Sequence, residues 1–299
     1  MTDVSHRAAQ VNAASRQDFP ATPSAWQRFA RNRGALAGAV LLAALAVTAA
    51  LASWWFGSDP LRMVGSPELW PAADAAFPLG TDSMGRDIAA MMAHGARTTL
   101  LMGLGASAVA TMLGLLIGAA AGYYGGWVDD TLMRLQELFQ IMPSLIFIVT
   151  LISILGPTIG NITLAIGIVS WPSIARLTRA EFLSLREREF VTAGRALGMG
   201  GLRLIFREIL PNALPPVIVL SSLTLATALL FEAVIAFLGL GDPNVASWGR
   251  LIGEGRTLIR TSWYICAIPG VAIMLAVLAL NLVGDGLNDA FNPQLDKHA

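Results

Sequence analysis

Long uncharged, apolar runs alternate with short charged segments along this 299-residue chain. A membrane-spanning helix needs about 20 consecutive apolar residues, and five runs reach that length. They cover residues 34–58, 98–128, 138–175, 212–231 and about 263–284. The third run is too long for one span, and its Gly156-Pro157 and Gly160-Asn161 pairs predict a tight turn between two helices. The pattern therefore predicts an all-α, polytopic membrane protein with six transmembrane helices.

The polar segments between these runs divide the chain into regions. We expect a mostly disordered cytosolic tail at residues 1–33, a first transmembrane helix at 34–58 and an irregular folded extracytoplasmic loop at 59–97. A transmembrane core at 98–286, which includes a cytosolic loop at 177–211, and a cytosolic C-terminal tail at 287–299 would follow. Glycines spaced along residues 103–122 predict close helix packing in the core. Pro143 and Pro172 predict kinks, which either line a pathway or serve packing alone.

Composition agrees with a membrane location. Hydrophobic residues make up 55% of the chain and charged residues 13%, and mean hydropathy is +0.62; soluble domains carry about 25% charged residues. The formal net charge is zero, so no basic footprint for nucleic acid is present. A single cysteine, Cys266, excludes an intrachain disulfide and a cysteine-based zinc site.

The distribution of basic residues predicts the orientation. With the N-terminus inside, the cytosolic segments hold 14 of the 20 Lys and Arg residues, and the largest group lies between Arg176 and Arg207. Lys and Arg accumulate on the cytosolic side of membrane proteins. Six spans then place both termini in the cytosol.

The largest basic group surrounds a helix-prone segment that begins at Glu189. Small residues at Ala193, Gly194 and Ala196 would let another surface approach the backbone closely. Gly198 is a natural end for a helix in a left-handed turn, and an amphipathic stretch then leads to Pro211, which we expect to close it. The segment predicts a short helix, a glycine turn and a second short helix outside the membrane.

This segment resembles the EAA loop of the inner-membrane permease subunits of bacterial ABC importers. Thr192-Ala193-Gly194 stands where that family has Glu-Ala-Ala, while Gly198 and Leu210-Pro211 match its glycine and its terminal Leu-Pro. The resemblance implies a coupling helix that docks into a cleft of an ATP-hydrolysing subunit. The coupling residues would be Thr192, Ala193, Gly194, Ala196, Leu197, Gly198, Leu210 and Pro211. An ordinary cytosolic loop is the alternative.

Two further segments resemble signatures of the dipeptide, oligopeptide and nickel permeases within that family. The first is an extracytoplasmic motif before the second span: Gly80, Thr81, Asp82, Gly85, Arg86 and Asp87. Asp82 or Ser83 is suited to cap a helix and Arg86 to pair with a carboxylate, so the motif is either a capped interfacial helix or a contact for a docking protein. The second is the closing segment 284–293, where Asn288 and Asn292 replace the expected Arg and Asp.

Three motifs in the correct order identify the chain as a member of this family, with a fold like that of type I ABC importer permeases. The resemblance implies the permease subunit of an ATP-driven importer of short peptides in a bacterial inner membrane. Its partners would be a homologous permease in a heterodimer, two ATP-binding subunits and an extracytoplasmic solute-binding protein. ATP-Mg would be used by the partners, with no cofactor bound by this chain. The only lysine, Lys297, follows Asp296, so the chain has no P-loop and we expect no enzyme activity of its own.

Other functions remain open at this point. Nickel is the alternative substrate, since Met84, Met91, Met92 and His94 cluster before the second span, although such methionines usually serve packing. An ion-coupled secondary transporter would need an acidic site near the membrane midplane. Glu232, just beyond the predicted fifth span, is one acidic residue for that role, but an interfacial position is favoured. An intramembrane enzyme or a structural assembly protein would not require the glycine-turn loop.

Overall fold

The computed structural model describes residues 25–291, so the predicted tail segments 1–24 and 292–299 lie outside it. Most of the described residues are helical, and no strand longer than an isolated bridge occurs among them. The helices are α1 (Ala25–Arg31), α2 (Arg33–Phe56), α3 (Ile88–Tyr124), α4 (Gly126–Ile141), α5 (Ser144–Leu155), α6 (Ile159–Arg186), α7 (Glu189–Ala196), α8 (Gly201–Leu204), α9 (Leu210–Phe237), α10 (Trp248–Gly255) and α11 (Tyr264–Phe291). A π-helical segment, Ile205–Ile209, joins α8 to α9, and a 3-10 turn, Arg256–Leu258, follows α10. The all-α prediction is confirmed.

Four of the described helices are long and apolar enough to cross a membrane: α2, the continuous helix Gly201–Phe237, α3 and α11. The pair α4 and α5 would make a fifth span, but it bends by 88° at Met142-Pro143. Alone, α5 has 12 residues, about 18 Å at 1.5 Å per residue, which is shorter than the hydrocarbon core. The multi-span architecture is confirmed, and the count of six is not reproduced by these helices alone.

The most extensive helix packing in the described part of the chain joins α3 to α6, and glycines allow the close approach. A Cβ at Gly114 would lie 2.6 Å from Ile174 Cβ, and one at Gly118 would lie 2.4 Å from the Ala175 carbonyl oxygen. Neither distance leaves space for a side chain. The predicted role of these glycines in close helix packing is confirmed.

Several element boundaries differ from the prediction. Helix α3 starts at Ile88, ten residues before the predicted span, because Asp87 caps it by accepting a hydrogen bond from the Ala89 amide at 2.9 Å. The expectation that Asp82 or Ser83 caps this helix is therefore wrong. The region predicted as a disordered tail contains α1, which packs on α11, where Asn32 Nδ2 donates to Asp289 Oδ2 at 2.8 Å.

The expectation that Pro211 closes a separate short helix is wrong. The chain stays helical from Gly201 to Phe237, and Pro211 lies in the first turn of α9. Proline has no N–H and its ring crowds the carbonyl four residues earlier. The wider π-helical segment Ile205–Ile209 directly precedes it and accommodates the lost hydrogen bond without breaking the helix.

The connecting segments gather at opposite ends of the bundle. At one end, Tyr264 Oη lies 2.8 Å from the Leu69 carbonyl oxygen, and Ser262 Oγ donates to Glu68 Oε2 at 2.6 Å. At the other, Arg186 Nη1 donates to the Gly122 carbonyl at 3.0 Å. Segments predicted to lie on the same side of the membrane therefore contact each other.

Candidate functional site

The predicted short helix and glycine turn are present at Glu189–Gly198. Helix α7 ends at Ala196, and Gly198 adopts a φ of 77°. The Met199 amide donates to the Gly194 carbonyl and the Gly198 amide to the Arg195 carbonyl, both at 3.0 Å. This pair of bonds is a Schellman motif, which needs a left-handed residue at the position of Gly198.

The turn presents apolar side chains on the surface. Leu197, at its tip, is 85% exposed, and the nearby side chains of Leu202 and Phe206 are also exposed. Thr192, where the family has Glu, is exposed, and its hydroxyl donates to the Arg188 carbonyl at 3.3 Å. We define Thr192, Leu197, Gly198, Leu202 and Phe206 as the coupling face, after the role that the family resemblance implies for this segment. Since the sequence predicts that this segment lies outside the membrane, its exposed apolar side chains are candidates for a contact with another protein.

A buried cluster ties this face to the transmembrane helices. Val191 of α7 packs with Phe182 of α6, with Leu204 and Ile209, and with Ala213 of α9. Gly194 is buried, and a Cβ there would lie 2.8 Å from Leu204 Cδ2. Displacement of α7 must therefore move the adjoining ends of α6 and α9. Of the predicted coupling residues, Gly194 thus serves packing, and Leu210 and Pro211 belong to α9 rather than to the turn.

An ion pair and a hydrogen bond hold the same end of the bundle together. Arg179 of α6 binds Asp129, at the start of α4, through Nε and through Nη2, the latter at 2.6 Å. Arg176, one turn earlier, contacts the Gln140 side chain of α4. Helices α4 and α6 therefore form one unit with the coupling face.

A groove of about 450 Å³ lies between the α4–α5 bend, α6 and α9. Its polar lining comes from side-chain hydroxyls and one amide, and two aromatic rings, Phe139 and Phe231, also line it. We call it the hydroxyl groove and define it by Gln140, Ser170, Ser173, Thr224, Thr227 and Phe231. Pro172 also lines it, inside α6, so this predicted kink position adjoins a cavity.

The extracytoplasmic motif forms a buried polar cluster at the other end of the bundle. Arg86 Nε lies 2.5 Å from Asp82 Oδ2, as predicted, and Arg86 Nη2 contacts Glu254 Oε2 of α10. Asp82 Oδ1 also accepts from the Met84 and Arg86 amides, both at 2.9 Å. Thr81 Oγ1 donates to the Ser66 carbonyl at 2.5 Å. These side chains are satisfied internally, so they fix the loop.

Gly80, Gly85 and Asp87 complete the motif. Gly80 and Gly85 have φ values of 79° and 76°, and a Cβ at either would lie 2.2 Å from a carbonyl oxygen of the loop. Burial raises the pKa of the Asp87 carboxyl, while hydrogen bonds from the Ala89 and Ala90 amides oppose that change. Each of these residues has a geometric role in the loop or the helix cap.

Glu232 lies inside α9 and is 4% exposed, whereas the sequence places it just beyond the span. Its Oε2 has no hydrogen-bond partner among the described residues. A Cβ at Gly249 would lie 2.9 Å from Oε1, and Asp242 and Ser247 line the same small cavity. The carboxylate therefore packs against the loop that contains α10.

Three of the four candidate metal residues have structural contacts, whereas the Met84 side chain is half exposed. Met91 is fully buried, and Met92 packs in two core clusters. The His94 Nε2 atom lies 2.9 Å from the Gly57 carbonyl oxygen. Among the described residues, no group of three His, Cys, Asp or Glu side chains could hold a metal ion.

Sequence reasoning missed the partners of these motifs. Glu254 binds Arg86, which lies 168 residues earlier in the chain. The buried Trp248 donates from Nε1 to the Met92 carbonyl at 2.9 Å. A Ser247 N-cap signal before Trp248 predicts α10. Nothing in the local pattern indicates what α10 contacts.

The fold and these sites define a polytopic membrane transport subunit, with an apolar coupling face at one end of the bundle and a groove among its helices. The chain belongs to the family of binding-protein-dependent transport system inner membrane components, whose model matches residues 114–297. The model of the N-terminal transmembrane domain of oligopeptide transport permease C matches residues 23–65. The predicted family is confirmed, and the chain is a multi-pass inner-membrane component of a transport system.

Relatives of similar length match nearly the whole chain. The di/tripeptide transport system permease protein DppC of Pseudomonas aeruginosa is 39% identical over 280 residues, 92% of each chain. The dipeptide transport system permease protein DppC of Haemophilus influenzae is 37% identical over 284 residues, 92% of this chain and 96% of the relative. A putative peptide permease of Brucella suis is 39% identical over 277 residues, 90% of each chain.

A solved structure shares the fold. A chain of the MetNI methionine ABC transporter in an inward-facing conformation superposes with a TM-score of 0.55 at 21% identity, covering 66% of this chain and 94% of that chain. The predicted ABC importer permease fold is confirmed.

Proposed function

We propose that this chain is the permease subunit of an ATP-driven importer of short peptides, and that it forms half of the translocation pathway. The observation that carries the coupling role is the exposed Leu197 beside the left-handed Gly198, on a helix anchored to the transmembrane core. Peptide as the substrate class is supported by relatives named as di/tripeptide and dipeptide permeases at 37–39% identity.

The proposed partners follow from the two ends of the molecule. An ATP-binding subunit would hold the coupling face in a cleft, and a homologous permease with a second ATP-binding subunit would complete the assembly. A solute-binding protein would deliver peptide at the end that contains Arg86 and Glu254. The coupling face then lies in the cytosol with both termini, as the concentration of basic residues around it favours. In this assembly the bent pair α4–α5 and the helix α6 would supply the two further spans that the predicted count of six requires.

The mechanism uses the buried contacts below the coupling face. ATP-driven closure of the partner subunits would displace α7 as a rigid body. Phe182 and Ala213 share a cluster with Val191 of α7, so the movement passes to α6 and α9, which also wall the hydroxyl groove. Nucleotide thereby shifts a two-state equilibrium between inward- and outward-facing arrangements.

A pull-down from the native membrane in detergent tests the proposal. We expect ATP-hydrolysing subunits to be recovered with the native chain and lost with Leu197→Asp, which places a charge on the coupling face. Ser184→Asp adds the same charge at an exposed position near the end of α6 that adjoins α7, and this variant should retain the ATP-hydrolysing subunits. Recovery of the native chain with no associated ATPase would contradict the proposal.

A further inference from the structure

We propose that the hydroxyl groove is the wall along which substrate passes, and that it binds extended peptide through backbone amides rather than through side chains. This inference rests on the proposed function as a peptide importer and identifies the part of the chain that contacts the peptide.

The dimensions of the groove suit an extended chain. On α9, Leu220, Thr224, Thr227 and Phe231 follow one another at helical spacing and form one wall. The stretch of α9 from Leu220 to Phe231 is about 17 Å long at 1.5 Å per residue, the length of about five extended residues. On α6, the groove is lined from Val169 to Ser173, and a second cavity of about 380 Å³, which shares Gln140 and Ser173 with it, continues past Arg176 to Ala180.

The lining of the first cavity combines apolar side chains with hydroxyl groups and carries no formal charge. Among the described residues that line the first cavity, five have side-chain hydroxyls and none is Asp, Glu, Lys or Arg. Ser170 Oγ donates to the Ile166 carbonyl at 2.7 Å, and Thr227 Oγ1 donates to the Leu223 carbonyl at 3.0 Å. Because these protons are used within the helices, the hydroxyl oxygens face a ligand as acceptors. Peptide N–H groups are the matching donors.

Pro172 leaves one backbone carbonyl of α6 without its helical donor, beside the groove. Its ring lines the groove inside α6, and proline cannot donate to the carbonyl four residues earlier, here that of Ile168. A backbone carbonyl without its helical donor is a strong acceptor. Among the described residues, the lining of the first cavity therefore offers repeated acceptors for a peptide backbone and no formal charge that would select or reject particular side chains. Arg176 is the charged residue that lines the second cavity.

Charge introduced into the groove tests the inference. In a chain carrying Cys266→Ser, which removes the only native cysteine, Thr227→Cys is assembled with the partner subunits and the binding protein in proteoliposomes. The thiol is then modified with a cationic or an anionic methanethiosulfonate, and uptake of radiolabelled Ala-Lys and Ala-Glu is compared. A unit charge about 4 Å from a substrate charge in water changes occupancy roughly fivefold. We expect the uptake ratio of the two dipeptides to shift in opposite directions by about that factor.

The matched control is Thr48→Cys on α2. Its hydroxyl also donates to the carbonyl four residues earlier, at 2.9 Å, but it does not line the groove. Reagent treatment of this variant should leave the uptake ratio unchanged. Equal ratios for the two adducts at Thr227→Cys, or no reaction there in any nucleotide state, would overturn the inference and would indicate that the sister subunit packs directly onto the groove.

If either adduct blocks all uptake, the uptake ratio cannot be compared, and the rate at which the reagent modifies the thiol is measured instead. With ATP and binding protein present, saturating Ala-Ala should slow the reaction of Thr227→Cys at least threefold and leave that of Thr48→Cys unchanged. An unchanged rate at Thr227→Cys would overturn the inference. Failure of the proposed function is distinct, because the unmodified native complex would then take up none of the dipeptides.

Discussion

Arg86 joins the extracytoplasmic motif to a helix 168 residues further along the chain, through the contact between its Nη2 and Glu254 Oε2. The Arg86 side chain is 3% exposed, and its Nε also binds Asp82, which is fully buried. Glu254 in turn accepts from Arg250 Nε at 2.8 Å. The network makes the loop before α3 and the loop that contains α10 a single unit.

Removing Arg86 should destabilise the protein more than removing the Glu254 charge. Arg86→Met leaves the buried Asp82 carboxylate without its cation, a change that costs about 3–5 kcal/mol in buried pairs. Glu254→Gln should cost less, because Glu254 is 24% exposed and Arg86 keeps Asp82. Thermal unfolding of the purified protein in detergent measures both. Arg260→Met, at an exposed position, should change little, and equal losses for all three variants would refute this ranking.

Much of the fold was predictable because local chemistry determines it. The Gly156-Pro157 break between α5 and α6, the small-residue packing of α3 and the turn at Gly198 each follow from backbone geometry within a few residues. The start of α3 was predicted wrongly because several residues before it are able to cap a helix. Which of them does so depends on tertiary contacts, since Asp82 is occupied by Arg86.

The rest of the site depends on contacts distant in sequence. No local pattern predicts that Glu254 binds Arg86 or that Glu232 lies against Gly249. The hydroxyl groove combines residues of α4, α5, α6 and α9, and each of its Ser and Thr residues alone is ordinary for a membrane helix. The sequence predicts a kink at Pro143 but not its angle of 88°, because a proline indicates where a helix breaks and not by how much.

Gly80→Ala should disrupt the extracytoplasmic loop far more than Gly57→Ala. Both glycines have positive φ, 79° and 76°, so each substitution carries backbone strain of about 1–3 kcal/mol. A Cβ at Gly80 would also lie 2.2 Å from the Leu69 carbonyl oxygen, whereas nothing lies within 4 Å of one at Gly57. Protease sensitivity of the loop in spheroplasts compares the two variants. Equal protease sensitivity of the two variants would show that the loop accommodates the contact between the Gly80 Cβ and the Leu69 carbonyl oxygen without loss of stability.

Gly198→Val should lower ATP-driven uptake to below half and uncouple ATP hydrolysis, with normal membrane insertion. A β-branched residue is strongly disfavoured at a φ of 77°, so the turn that presents Leu197 would rearrange. Gly200→Val is the matched control, since Gly200 has a φ of −67° and both positions are open, with nothing within 4 Å of an added Cβ. Uptake and peptide-stimulated ATPase activity are measured in proteoliposomes. Normal transport by Gly198→Val would show that this turn does not couple ATP hydrolysis to transport.

Glu232→Gln should leave ATP-driven uptake within about twofold of the native value and should not lower stability. The carboxylate is 4% exposed and its Oε2 has no hydrogen-bond partner among the described residues, so the charge is costly to bury. Asp242→Asn, on the same cavity, should be more destabilising, because Asp242 accepts from the Ile159 and Asn244 amides at 3.2 and 2.9 Å. Thermal unfolding ranks the two variants, and uptake is measured with ATP or with a proton gradient alone. If Glu232→Gln abolished uptake in an assembled complex, and a gradient alone drove the native protein, Glu232 would be the ion site of a secondary transporter.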